Sequence, residues 1–256
     1  MAELTRRRIV IDPLEFSSSN KVRTPGLHVT EVIKDMLSVA GIGKKHKTEA
    51  EGGYSQDQLR RFQAQGYMWE DAVLELIDVE AFYEDVATGV LKRRVLNRND
   101  YMPLPEVAFN PRTGHAFWVE YDDKGELLCG PIPLGYYLCS PDGGHLELEP
   151  IHRFSLVECK RTTKSSRMLP EVEKPEWFYQ VKSYLGPLRA VLAYPVNRVE
   201  FHVQFPHGDY RGDAPIYEEW EREYSDSEVD DTWAAIDAHA RWRAKSVVDH
   251  PWRRWL

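Results

Sequence analysis

Apolar positions follow two different rhythms along this chain. "HVTEVIKDMLSVAGIG" (28–43) spaces them at helical intervals and then meets Gly41 and Gly43, which predicts a helix with glycine stops. A longer helix is predicted from Ser55 to about Tyr83. Ser55 and Gln58 make a capping-box pair, and Leu59, Phe62, Gly66, Glu70, Val73 and Ile77 fall on one face. Glu70 interrupts that apolar stripe one turn from a glycine. Between 90 and 161 the period becomes that of strands: "VLKRRVLN", "EVAFNP", "AFWVEYDD", "ELLCGPIPLGYYLCS", "HLELEP" and "RFSLVECK", with turn signals at "NPRTG", "DDKG" and "DGG".

A third helix starts at Pro175 and runs to about Leu185. "RAVLAYP" and "RVEFHVQFP" read as two more strands. The last helix opens near Ser225, which forms a capping box with Glu228, and lines up Val229, Trp233, Ile236 and Ala240. The order predicts an α/β (α+β) fold, a mixed central β-sheet flanked by helices. We expect one domain over residues 1–256: an N-terminal arm (1–27), a core (about 28–205), then an acidic segment and C-terminal helix (206–256).

Composition narrows the function. Hydrophobic residues make up 42% of the 256, enough for a real core. The formal charge of -8 means that any contact with nucleic acid must use a local basic patch. Much of the acidity sits in "YEEWEREYSDSEVDD" (217–231). Cys129, Cys139 and Cys159 form no CxxC pair and are odd in number, so they read as reduced, mostly buried thiols rather than a disulfide framework or a thiolate metal site. No secretory signal and no apolar run of membrane-spanning length is present, which predicts a cytoplasmic protein without a membrane partner.

One stretch carries chemistry. "FSLVECKRT" (154–162) has apolar groups on both faces of a strand, yet it ends in Glu158 and Lys160, which point to the same side. Asp142, in "SPDGGH", precedes them by one hairpin, so two carboxylates can lie side by side. Adjacent carboxylates repel, and a hard divalent cation, Mg²⁺ or Mn²⁺, relieves that strain. Lys160 would then face the developing charge of a phosphodiester or hold the attacking water. On the Pro175 helix, Trp177, Gln180, Val181, Tyr184 and Leu188 share a face, so the amide of Gln180 interrupts a packing surface just as Glu70 does.

"SPDGG" followed by "VECK" resembles the signature of the PD-(D/E)XK nuclease superfamily, with Asp142, Glu158 and Lys160 in the motif positions. "PEWFYQVKSYLG" places Gln180 and Tyr184 in a Q-x-x-x-Y arrangement similar to the RecB and lambda-exonuclease branch. "GYMWEDAVLELI" resembles the G-x-x-x-E helix of that branch. The resemblance spans residues 28 to 205, in order, and lacks the four cysteines of the iron–sulfur members.

It implies a restriction-endonuclease-like core and a Mg²⁺- or Mn²⁺-dependent deoxyribonuclease, an exonuclease acting on DNA ends in phage or bacterial recombination and repair. Asp142, Glu158, Glu70 and the backbone carbonyl of Cys159 would hold metal. Lys160, Gln180 and Tyr184 would be catalytic. Arg161, Thr162, Thr163, Lys164 and Lys182 would contact DNA, within a wider run of cations that also includes Arg167 and Lys174. A homo-oligomer and a recombination partner protein are compatible with the resemblance. Two alternatives stand beside it: an endonuclease or junction resolvase of the same superfamily, and a non-catalytic nuclease fold serving as a DNA-binding or virion component. His202 and His207 make no metal-ligand set and read as structural or exposed.

Overall fold

The computed structural model describes residues 24–42, 62, 64–66, 68–70, 79–85, 90–96, 102–147, 153–192, 195–211 and 215–256. The expected arm and the polar loop 44–53 lie outside these residues. The strands are β1 (Leu27–His28), β2 (Val79–Asp85), β3 (Val90–Leu96), β4 (Met102–Pro103), β5 (Val107–Asn110), β6 (His115–Trp118), β7 (Tyr137–Cys139), β8 (Gly143–Glu147), β9 (Arg153–Arg161), β10 (Val196–Phe205) and β11 (Ile216–Glu223). The helices are α1 (Val29–Val39), α2 (Pro170–Glu173), α3 (Pro175–Val191) and α4 (Asp226–Ser246).

The α+β class holds, but the strands form more than one central sheet. Five of them run in the order β11-β10-β9-β8-β4, four in the order β1-β7-β5-β6, and β2 pairs with β3 as a ribbon. Both larger sheets are mixed. β9 and β10 are parallel, as are β1 and β7, while the other pairs are antiparallel. α3 touches strands of both sheets, and one apolar cluster joins α1, α3, α4 and the two sheets through Ile33, Phe109, Tyr137, Phe154, Leu188, Phe201 and Trp233. The C-terminal helix is therefore part of the core. The acidic segment before it supplies β11, which extends the larger sheet beside β10.

Several boundaries move for identifiable reasons. α1 ends at Val39, and Gly41 follows with φ 70, the left-handed conformation that glycine adopts without steric cost. The helix predicted to reach Tyr83 does not: residues 62, 64–66 and 68–70 are helical, but β2 begins at Val79. "VEAFYED" pairs along its full length with "VLKRRVL", and Val, Phe and Tyr favour that extended pairing. α3 continues through Pro187 to Val191 and absorbs the start of the predicted strand "RAVLAYP". Pro187 forfeits one helical hydrogen bond, but Leu185, Pro187 and Leu188 are all buried, and packing holds the helix together. α4 begins as its sequence announces, with Ser225 and Glu228 exchanging both capping-box bonds.

"DGG" is not a turn. Gly143 and Gly144 open β8 and pair with Val157 and Leu156 of β9. Gly144 is needed for closeness: a methyl group there would lie inside the van der Waals envelope of the Phe154 ring. Gly144→Ala should cost about 1–3 kcal/mol through this overpacking. Urea unfolding will check it; an unchanged midpoint would mean that Phe154 has another place to go.

Candidate functional site

The β8–β9 register decides where the carboxylates fall. Gly143 pairs with Val157, so Asp142, one residue earlier, comes opposite Glu158. Asp142 accepts a hydrogen bond from the Cys159 backbone N–H at 2.7 Å, which ties its carboxylate to the strand carrying Glu158 and Lys160. β9 is flanked by β8 and β10, so its Glu158 lies deep: it is 0% exposed.

Glu158 and Lys160 project toward α3, where a small polar network meets them. Lys160 Nζ donates to Glu158 Oε1 and, at 3.3 Å, to Gln180 Oε1. Gln180 Nε2 lies 2.8 Å from Glu158 Oε1 and 2.9 Å from the Tyr184 hydroxyl. Gln180 thus satisfies its amide on a helix face otherwise buried through Trp177, Val181, Tyr184 and Leu188. The second oxygen of Glu158, Oε2, is buried and has no hydrogen-bond partner among the described residues.

Electrostatics mark the same place. Burial pushes the Glu158 carboxyl up to about 8, the Asp142 and Glu70 charges add to the rise, and Lys160 opposes it. Burial pulls Lys160 down, but Glu158 and Asp142 outweigh it and leave the ammonium above its ordinary value. Burial, then Glu158, raises the Tyr184 phenol; burial, then Asp142 and Glu70, raises the Cys159 thiol.

Glu70 reaches this neighbourhood by another route than its predicted stripe. Leu59, Val73 and Ile77 of that stripe, with the Ser55–Gln58 cap, lie outside the described residues; of the described ones, Phe62 is exposed and Gly66 half-buried, whereas Ala64 and Trp69 are buried. Trp69 Nε1 donates to the His202 carbonyl at 3.0 Å, and His202 pairs with Cys159 across β10 and β9. The Trp-Glu dipeptide in "GYMWEDAV" is the signal: the indole anchors the segment to the sheet and the next residue is the carboxylate.

The expected DNA-contacting residues divide into two places. Arg161, Thr162, Thr163 and Lys164 follow Lys160 at the end of β9. Arg161 Nε donates to Gln204 at 3.0 Å, and burial lowers its pKa. Thr162 is buried and its hydroxyl accepts from the Lys164 N–H at 3.2 Å, while Lys164 also pairs with Glu173. Lys182 lies elsewhere. Two residues past Gln180, it turns to the far side of α3, with its ammonium 4.8 Å from the Tyr179 ring centre and within the field of Glu228. Arg167 pairs with Asp209 and Lys174 with Glu176.

All three cysteines are free; Cys139 is buried, but Cys129 is exposed, contrary to the expectation of mostly buried thiols. His202 is buried beside Glu200, and His207 is exposed. Among the described residues, no three His, Cys, Asp or Glu side chains gather at metal-holding distances. No described helix is long and apolar enough to cross a membrane.

No protein-family model matches the chain, and no curated protein matches it. Among solved structures it is similar to one described as SSO0001, at 13% identity over 93% of this chain and 92% of that one, with a TM-score of 0.40.

Proposed function

We propose that the protein is a metal-dependent deoxyribonuclease whose site is built from Asp142, Glu158, Lys160, Glu70, Gln180 and Tyr184. The observation that carries this reading is the unpartnered Oε2 of a fully buried Glu158, with Asp142 opposite it and the charge of Glu70 acting on it. A buried carboxylate oxygen without a partner is costly, and a cluster of negative charge around it calls for a cation.

The donors are carboxylate oxygens, which suits Mg²⁺ or Mn²⁺ and argues against a soft metal. Asp142 and Glu158 would hold the ion, with the main-chain carbonyl of Cys159 as a further oxygen ligand, and Glu70 would support it directly or through water, since the three carboxylates are not gathered at direct-ligand distances. When bound, the ion would polarise a phosphodiester and lower the pKa of a water.

The chain's own groups supply the rest. Lys160 is placed to face the negative charge that builds on the phosphate or to orient the attacking water. Gln180 holds Lys160 and Glu158 in register and is itself fixed by Tyr184. That linkage of a Q-x-x-x-Y pair to the lysine favours the exonuclease form of the reading, acting on DNA ends.

The test is a degradation assay on end-labelled linear and closed circular DNA with Mg²⁺, Mn²⁺ or EDTA. We expect loss of the linear substrate alone, only with metal. Cutting of circles would make the protein an endonuclease. No cleavage with either metal would sink the catalytic reading.

A further inference from the structure

β9 and β10 run parallel, so their carboxyl ends open on one edge, and the loops leaving them are stitched together. The Thr162 N–H donates to the Gln204 carbonyl at 3.1 Å and the Ser166 N–H to the Gly208 carbonyl at 3.0 Å. Arg167 Nη2 meets Asp209 at 2.9 Å, and the Tyr210 hydroxyl donates to the Thr163 carbonyl. In open α/β sheets the space beyond the carboxyl ends of the strands is where ligands bind.

Tyr210 stands oddly on this ridge. Its φ is 62, a left-handed conformation that bulky residues seldom adopt, and the residue is 63% exposed. His207 stacks against it, the ring centres 6.2 Å apart and the planes 19° from parallel. Burial does not offset the strain that holds this aromatic ring in water; a hydroxyl bond to Thr163 is what the fold gains from it, and that bond does not need an aromatic face. The bond to Thr163 fixes the ring and leaves a face open. Lys164, Arg167 and Arg211 stand on the same two loops. Thr163, to which the ring is tied, follows Lys160 by three residues, so it lies within about 10 Å of it along the chain. That is roughly two or three nucleotide steps.

We infer that Tyr210, backed by His207, is a stacking platform for an unpaired base of a single DNA strand entering the site. A rigid aromatic face beside cations is what sequence-independent single-strand binding uses. The inference rests on the nuclease reading above and names the form of substrate that it takes.

The experiment measures binding of a single-stranded oligonucleotide carrying 2-aminopurine near its end, and of a blunt duplex, in Ca²⁺ so that no strand is cut. Tyr210→Ala and Tyr210→Asn should bind the single strand about tenfold more weakly and lose the quenching of 2-aminopurine. Tyr210→Trp and Tyr210→Phe, which keep a ring but lose the bond to Thr163, should keep most of the single-strand affinity. Blunt-duplex affinity should be alike in all five proteins. Asn tolerates positive φ, so Tyr210→Asn removes the ring without adding strain, and circular dichroism will confirm its fold. Single-strand affinity unchanged in Tyr210→Asn would overturn the platform, as would equal weakening in Tyr210→Phe, which keeps the ring. If wild type cleaves DNA while Tyr210→Asn binds normally, the platform alone falls. If wild type neither binds nor cleaves, both readings fall.

Discussion

Glu158→Gln is expected to abolish metal-dependent cleavage, by about a thousandfold or more, and at the same time to flatten the dependence of stability on pH. Burial, reinforced by Asp142 and Glu70, raises this carboxyl from 4.5 to about 8. The folded chain therefore keeps a proton that the unfolded chain releases near 4.5. The stability this confers is complete below that pH and is lost as pH rises through about 8. Glutamine has no such proton to lose. In EDTA, the melting temperature of the variant relative to wild type should climb between pH 5 and pH 8.5. Added Mg²⁺ should raise the melting temperature of wild type at neutral pH and leave the variant unmoved. Parallel pH curves for the two proteins would show that Glu158 does not carry the shifted proton. Retained cleavage would show that it does not hold the metal.

Lys160→Ala is the second large effect, again about a thousandfold on cleavage. Its signature in stability is distinct. Lys160 is the positive charge paired with Glu158, and Asp142 acts on it too. Removing one member of a buried pair leaves the other charged in a poor solvent, which costs about 3–5 kcal/mol when it cannot neutralise. Glu158 escapes by staying protonated, and without Lys160, which holds its pKa down, it does so to a pH above 8, so the loss should be small at pH 6 and larger, though short of that size, at pH 9. The double variant Glu158→Gln/Lys160→Ala should recover much of the alkaline stability and none of the activity. Urea unfolding of the four proteins at both pH values measures the coupling directly. Additive losses would mean that the two groups do not interact.

The sequence exposed these groups because each breaks a local pattern. Glu158 and Lys160 end a strand that is otherwise apolar on both faces, and Gln180 sits on the packing face of α3 among Trp177, Val181 and Tyr184. Conflict of that kind is readable without coordinates. Glu70 was found by its place in a supposed apolar stripe, yet Phe62 of that stripe is exposed, and a hydrogen bond from Trp69 to the distant His202 carbonyl does the anchoring. Periodicity reports which face is apolar; it carries no information about a single indole–carbonyl bond across the fold.

The same limit explains "DGG" and "RAVLAYP". Glycines signal turns by their backbone freedom, but Gly143 and Gly144 lie within β8, and Gly144 makes room for the Phe154 ring. Pro187 reads as a helix breaker, while Leu185 and Leu188, buried on either side of it, keep α3 intact. The α+β class was legible from element types alone. Its division into two mixed sheets and a ribbon was not, because strand order depends on pairings between segments far apart in sequence, such as β1 with β7.

The position of β11 gives the acidic segment a meaning for the protein's behaviour in bulk. Among the described residues, β11 is hydrogen-bonded to β10 alone, and β2 of the ribbon lies close against it, so the ribbon stands between this strand and a passing chain. Glu218, Glu219, Glu221 and Glu223 occupy half of that strand. Their charge, repeated on every copy, opposes edge-to-edge approach at neutral pH, though Arg198 and Arg153 pair with Glu221 and Glu223 and take up part of it. Acidification removes part of that charge and leaves the ribbon as the cover of the strand. At neutral pH the acidic strand thus carries two barriers to edge-to-edge pairing, the ribbon packed against it and its own repeated charge.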